Sequence, residues 1–323
     1  MTGGGEAVPA VSVVVPTLDR PARAAAVVGG LLAGDEPPPE LLVVDQSEGD
    51  ETRLALERLG DERVRHVSHA PPSTSGARNE GARLARGEYV AFLDDDVVVG
   101  PGWLASVRAE LARLDLPDAV YGEVRAPEGF VPGRTTLPVS IFRVEDAQVW
   151  DRPVHPNRLG YSANCVVRRS VFLAAGGFDP RLGPGTRFPG AEDMDLGYRL
   201  LKEGRRVAST PGFSVVHEQW RAPAELPRLY YGYNVGGAAF CAKHLRARDP
   251  RALRFLLVQV RDDAKMLASA LKRRSRLRAR VAAARTAGTW SGLARGLREL
   301  GAMSAGSPPG RDTFPGSPPD GGS

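Results

Sequence analysis

Three consecutive carboxylates, Asp94, Asp95 and Asp96, follow directly on the apolar run Tyr89-Val-Ala-Phe-Leu93. Unit charges about 4 Å apart repel by roughly 4 kcal/mol at an effective dielectric of 20, so such a cluster at a buried strand end calls for a cation. Oxygen ligands suit a hard divalent ion, and a hard ion on a loop is a usual way to hold a diphosphate. Taken alone, the triplet also reads as an acidic surface turn. Pro16-Thr17 and Asp45 end two other apolar runs and together can present donors and acceptors to a planar base. Asp45 in particular could accept the imide proton of uracil or thymine. Arg78, in Gly76-Ala-Arg78-Asn79 at a helix start, either donates to base carbonyls or phosphate or solvates a helix face. Glu192, Asp193 and Asp195 open another helical run, where acids complement the helix dipole. A carboxylate placed there beside a bound substrate can also take a proton from an attacking hydroxyl. His217 closes Ser214-Val-Val and reads either as a ligand or as a structural histidine.

The elements that must position these groups alternate. Apolar runs at Val11–Val15, Leu41–Val44, Val64–Ser68 and Tyr89–Leu93 are separated by helical stretches over 20–32, 51–59 and 75–85. Near-continuous apolar strands with helices between them predict an α/β fold, a mostly parallel central sheet flanked by helices. Right-handed crossovers then put the strand C-terminal ends on one edge, where the ligand crevice of an open sheet lies. Gly34, Gly60 and Gly87 each follow a helical run where a left-handed residue is expected. A helix over 102–114 leads into an irregular Pro- and Gly-rich region, 127–160, suited to a partner-specific site. A strand over 162–168, a short helix capped by Ser170, and a helix over 192–203 follow. Two strands, 206–209 and 213–216, close the domain. This gives a flexible N-terminus at 1–9, a main domain at 10–225, a basic helical region at 226–301 and a disordered Gly/Ser/Pro tail at 302–323.

With 42% hydrophobic and 25% charged residues, the chain is long enough and apolar enough to bury a sizeable core. The net charge of +5 is uneven, concentrated in Lys272-Arg-Arg-Ser-Arg-Leu-Arg-Ala-Arg280 and its flanks. Lys and Arg there are not interleaved with aromatics, so nucleic acid is a poorer partner than solvent or an anionic membrane surface over 251–285. The two cysteines, Cys165 and Cys241, are too far apart in sequence for a metal or redox pair. No signal peptide and no membrane-spanning run is evident, so the expectation is a cytoplasmic chain, with peripheral attachment at the inner membrane face left open.

Taken in order, Val11-Ser-Val-Val-Val-Pro-Thr17, Leu41-Leu-Val-Val-Asp45, Gly76-Ala-Arg78-Asn79, Gly87-Glu-Tyr-Val-Ala-Phe-Leu-Asp94-Asp95-Asp96, Gly176-Gly-Phe-Asp179 and Ala191-Glu192-Asp193-Met-Asp195-Leu resemble a family-2 glycosyltransferase. The likeness runs from Val11 to about Trp220. It implies the A-type fold of nucleotide-diphospho-sugar transferases, here with a helical C-terminal extension, and an Asp-x-Asp motif for Mn or Mg. By the same resemblance, Pro16, Thr17, Asp45, Arg78, Asp94 and Asp95 would hold the nucleotide. Asp94, Asp96 and His217 would hold the metal, Asp193 would be the general base, and Glu192 would shape its surroundings. Mixed oxygen and nitrogen ligands tilt the metal towards Mn. Where many relatives have a second acid after the first, this chain has Gln46. The Gln-x-x-Arg-Trp signature of processive synthases is absent; His217-Glu-Gln-Trp-Arg221 is not that motif.

The expected function is therefore inverting, metal-dependent, non-processive transfer from a UDP- or dTDP-sugar to a hydroxyl of a saccharide, lipid-linked or small-molecule acceptor, as in cell-envelope or polysaccharide biosynthesis. Two other classes compete. A nucleotidyltransferase would want a Gly-rich basic loop near the N-terminus, which Pro16-Thr-Leu-Asp-Arg20 does not supply. A nucleic-acid-binding protein would rest on the basic C-terminal region.

Overall fold

The computed structural model describes residues 9–130, 140–218 and 221–301. The expected tail over 302–323, most of the expected N-terminal segment, the middle of the irregular region and Trp220 lie outside them. The described chain runs β1 (Val11–Thr17), α1 (Pro21–Leu32), β2 (Glu40–Asp45), α2 (Glu51–Glu57), β3 (Val64–Ser68), α3 (Thr74–Leu84), β4 (Tyr89–Leu93), β5 (Val97–Val99) and α4 (Trp103–Arg113). It continues through β6 (Ala119–Arg125), β7 (Gln148–Trp150), β8 (Asn164–Arg168), α5 (Arg169–Ala174), α6 (Glu192–Lys202) and β9 (Val207–His217). It ends in α7 (Leu226–Arg246), α8 (Arg251–Lys272) and α9 (Arg276–Glu299).

One sheet holds these strands in the order β3-β2-β1-β4-β8-β6-β9-β5, with β7 also on β9. It is parallel from β3 through β4. It is mixed beyond, because β8 lies antiparallel between β4 and β6. Every residue of β1, β2 and β4 is buried, as expected of strands covered on both faces. The period of two sorts their side chains into two cores. Val11, Val13, Val15, Leu41, Val43 and Leu93 pack with α1 and α4. Val14, Leu42, Val44, Val90 and Phe92 pack with α3, α5 and α6.

Several local expectations are corrected. The strands expected at 206–209 and 213–216 are one strand, β9, which carries Pro211 and Gly212 through a register shift against β6. A bulge is where a strand tolerates proline. Ser170 does not cap α5, whose N-cap is Arg168 with no side-chain cap bond. Of the three helix-ending glycines only Gly60 has a left-handed φ, +64°. Gly34 and Gly87 are instead places of close approach. A Cβ would lie 2.8 Å from the Pro101 carbonyl oxygen at the first and 2.7 Å from the Ser12 nitrogen at the second.

The C-terminal helices bear on the site through their own packing. Gly288, Gly292 and Gly296, spaced by four, let α9 lie directly on α7. A Cβ at Gly292 would come within 2.2 Å of the Val235 carbonyl oxygen. Helix backbone cannot yield as a side chain would, so Gly292→Ala is expected to destabilise the fold by about 1–3 kcal/mol, read by chemical denaturation. At the middle of α7, beside Val235, Gly236 sits against Gly190, where a Cβ would meet the carbonyl oxygen at 2.5 Å. That contact backs the turn that launches α6.

Candidate active site

The strand register assembles the acidic cluster. Thr17, the last residue of β1, donates from Oγ1 to Asp95 Oδ2 at 2.7 Å. Arg20 donates to Asp95 Oδ1 at 3.0 Å and lies 3.6 Å from Asp96 Oδ2. Burial raises the pKa of Asp95, and the Thr17 and Arg20 contacts work against that rise. Asp95 is thus engaged with β1 and the turn after it. Antiparallel pairing sets His217 opposite Val97, and the Glu218 amide donates to the Asp96 carbonyl at 3.0 Å. His217 Nε2 therefore sits 3.4 Å from Asp96 Oδ1.

Asp94, Asp96 and His217 each offer a ligand atom, and these atoms lie within 4.8 Å of one another. Ligands on opposite sides of a small hard ion are about 4.2 Å apart, so the set fits a single divalent cation with small side-chain adjustment. Two carboxylates and an imidazole accept Mn or Mg.

Arg78 connects this cluster to a second one. Ser73 caps α3 by accepting from the Gly76 amide at 3.1 Å, and Arg78 emerges one turn later, almost fully buried. Its Nη2 donates to Asp94 at 2.5 Å and its Nη1 to Glu192 at 3.1 Å. Burial alone would lower its pKa, but Asp94 and Glu192 more than offset that, so the guanidinium stays charged.

Glu192 and Asp193 form the first turn of α6, behind Ala191 held at φ +68°. A non-glycine residue in that region costs about 1–2 kcal/mol, and such strain collects at working sites. Asp193 Oδ1 accepts from the Met194 amide at 2.7 Å and Oδ2 from the Ser162 amide at 3.4 Å. Burial first, and the charge of Glu192 second, push its pKa up to about 7; the two amides and Arg78 oppose the rise. Such a carboxylate is poised to accept a proton near neutral pH. Tyr161 and Tyr233 line the same wall, and burial raises both phenols, Tyr233 to about 12, so both remain neutral donors.

These groups face one cleft of about 630 Å³ lined by Pro16, Thr17, Arg78, Asp94, Asp95, Asp96, Glu192, Asp193 and His217. All the expected site residues meet there except Asp45. Asp45 Oδ1 accepts from the Ser47 amide and hydroxyl at 3.0 and 2.6 Å, and His66 Nε2 lies 3.0 Å from Oδ2. Both of its carboxylate oxygens are engaged there, and Asp45 is not among the residues that line the cleft. Gln46 stands in the wall instead, donating to the Thr17 carbonyl at 3.2 Å and accepting from the Ser73 amide at 2.7 Å.

Gln46 and Arg20 stand in the cleft without being among the expected site residues. A base three residues past the end of β1, facing an acidic triplet, was the available signal for Arg20. Asp195, read as a helix-dipole acid beside Asp193, is fully buried, ion-paired to Lys243 and Arg199 and 3.0 Å from His244 Nε2.

The fold is that of the A-type glycosyltransferases. Residues 12–173, half of the chain, match Glycosyl transferase family 2, and the chain belongs to that family. It is 32% identical over 228 residues to the O-antigen biosynthesis protein RfbC of Myxococcus xanthus, a match covering 65% of this chain and 17% of that protein. It is 26% identical over 230 residues to the glucosyl-dolichyl phosphate glucuronosyltransferase of Haloferax volcanii, covering 68% and 73% respectively. It is 29% identical over 259 residues to a validoxylamine A glucosyltransferase of Streptomyces hygroscopicus, covering 71% and 55%. Among solved structures, the mannosyltransferase PcManGT of Pyrobaculum calidifontis, in complex with GDP-Man and Mn2+, superposes with a TM-score of 0.59 at 20% identity. That match covers 88% of this chain and 87% of that one, and the likeness is one of fold.

Proposed function

We propose that the chain transfers a sugar from a nucleoside-diphosphate donor to an acceptor hydroxyl, with inversion and one addition per encounter. The observation that carries the reading is Arg78, which bridges Asp94 of the metal-competent cluster to Glu192 beside Asp193. It sets a diphosphate-holding group and a proton acceptor side by side in one cleft.

Asp94, Asp96 and His217 would hold Mn or Mg, which when bound neutralises the diphosphate and stabilises it as a leaving group. Thr17 and Arg20 keep Asp95 in place and so fix the loop that carries both metal-binding aspartates. Asp193 takes the proton of the acceptor hydroxyl as that oxygen attacks the anomeric carbon from the face opposite the diphosphate. One displacement inverts the centre. UDP- and dTDP-sugars are the first donors to try. The acceptor is a saccharide, lipid-linked or small-molecule hydroxyl entering from the α7 and α8 side, where His155, Asn157 and Gln259 line the cleft. A place in polysaccharide or envelope assembly fits the names of RfbC and of the putative colanic acid biosynthesis transferase WcaA of Escherichia coli, 25% identical over 198 residues.

A thermal-shift panel of UDP-, dTDP- and GDP-sugars with and without Mn tests the donor half. A true donor raises the melting midpoint when metal is present and leaves it unmoved otherwise. If no nucleotide sugar produces a metal-dependent rise, the donor assignment is wrong. Release of nucleoside diphosphate and not pyrophosphate separates this reaction from nucleotidyl transfer.

A further inference from the structure

Helix α8 presents three different strips to three different surroundings. Ala252, Phe255, Leu256, Asp263 and Ala270 are buried. Phe255, Gln259 and Asp262 line the cleft. Leu253, Leu257, Leu267 and Leu271, spaced by fours and a ten, fall on one remaining face and are exposed, Leu257 by 59% and Leu271 by 70%. At 3.6 residues per turn, Arg254, Arg261, Lys265 and Lys272 form a strip beside that apolar face, between it and the cleft-lining residues. Arg273 and Arg274 extend the positive charge into the turn before α9, and both are exposed.

Acidic compensation is slight. Asp262 lies near Arg261 and Lys265 at 3.3 and 4.0 Å, and Asp263 is buried against Arg285. An exposed leucine stripe spanning about 27 Å of helix, bordered by an excess of positive charge, is the amphipathic pattern of a helix lying in a membrane interface. Among the described residues no helix is long and apolar enough to cross a membrane, so α8 would lie along the surface.

We propose that the α8 face is a docking surface for anionic lipid. A second copy of the chain would have to bring two rows of Lys and Arg together across the leucines. A nucleic acid would use the basic strip and leave the leucines in water. An anionic bilayer satisfies both strips at once, the acyl boundary taking the leucines and the headgroups taking the cations. The docked molecule carries its cleft on the other side of α8, about one helix diameter from the headgroups, within reach of a hydroxyl on a lipid-anchored acceptor. The inference does not depend on the transfer reading, since docking needs no catalysis.

Flotation of the full chain with phosphatidylcholine vesicles, with and without phosphatidylglycerol, tests it. Wild-type protein is expected to float with the anionic vesicles at low salt and to bind less at high salt. The Leu257→Asp/Leu271→Asp variant, altered only at exposed positions, is expected to bind at least about tenfold more weakly, and so is Lys272→Glu/Arg273→Glu/Arg274→Glu. Failure of wild-type protein to float at low salt overturns the proposal, as does wild-type binding by either variant. A leucine-dependent dimer in sedimentation without vesicle binding, or RNA binding without it, also overturns it in favour of that other partner.

Discussion

Asp193→Asn is expected to lower sugar transfer by about 10²- to 10⁴-fold while leaving nucleoside diphosphate affinity nearly unchanged. The substitution keeps the shape and the acceptor oxygen that meets the Met194 amide, but it cannot hold a proton at neutral pH. The metal-competent cluster lies across Arg78 from this residue, so the donor half of the cleft stays intact. Product release kinetics and calorimetric titration with the nucleoside diphosphate separate the two effects, and transfer at the wild-type rate would mean another group is the base. A pH signature accompanies the loss. With its pKa near 7, Asp193 is protonated and inactive at low pH, so kcat/KM of the wild type should climb to a plateau above about pH 7. The sign for stability is opposite. A carboxyl raised in the fold from 3.8 contributes stability that is full below the unfolded value and is lost as pH rises through about 7. Asparagine carries no such charge, so the melting midpoint of the variant relative to wild type should rise between pH 5 and pH 8.

Much of this site was legible because its groups sit at the ends of strands whose apolar runs mark them. Strands β1, β2 and β4 are buried on both faces, and their near-continuous apolar runs reflect that. Thr17 and the triplet after Leu93 inherit their place from those ends. What escaped the sequence was decided by contacts distant along the chain. Whether Asp45 faces the cleft depends on His66 from the neighbouring strand β3, twenty-one residues on. The antiparallel insertion of β8 between β4 and β6 is a non-local pairing that no local pattern announces. The gap expected between strands at 206–209 and 213–216 holds Pro211, which the bulge opposite Gly122 absorbs, the missing Cβ leaving room for the Phe213 ring. For Asp195 the dipole explanation was complete on paper, and the partner that matters more lies on α7, forty-eight residues away.

Lys243→Met is expected to destabilise the fold by about 3–5 kcal/mol, the usual cost of removing one member of a buried ion network. Lys243 Nζ donates to Asp179 Oδ2 at 2.8 Å and to Asp195 Oδ1 at 2.7 Å, and both carboxylates are wholly buried. Burial alone would raise the pKa of Asp195, but Lys243, Arg199 and His244 outweigh it and hold it well below the usual value. Asp179 is likewise lowered against the pull of burial, by Arg181 and Lys243. Methionine fills the stem volume and removes only the ammonium, so the loss reports charge and not a cavity. Carboxylates depressed in the fold contribute stability present above 3.8 and lost as pH falls through their folded values. The gap between variant and wild type should therefore be widest near neutral pH and close as the medium becomes strongly acidic. Denaturation curves across that range measure it, and Lys243→Met/Asp195→Asn should recover part of the loss by removing the stranded charge. Equal stability of Lys243→Met and wild type at pH 7 would show that Arg181, Arg199 and His244 suffice. Because Asp195 lies two residues beyond Asp193 on α6, the same network that holds α7 to the sheet domain also fixes where the proposed base stands.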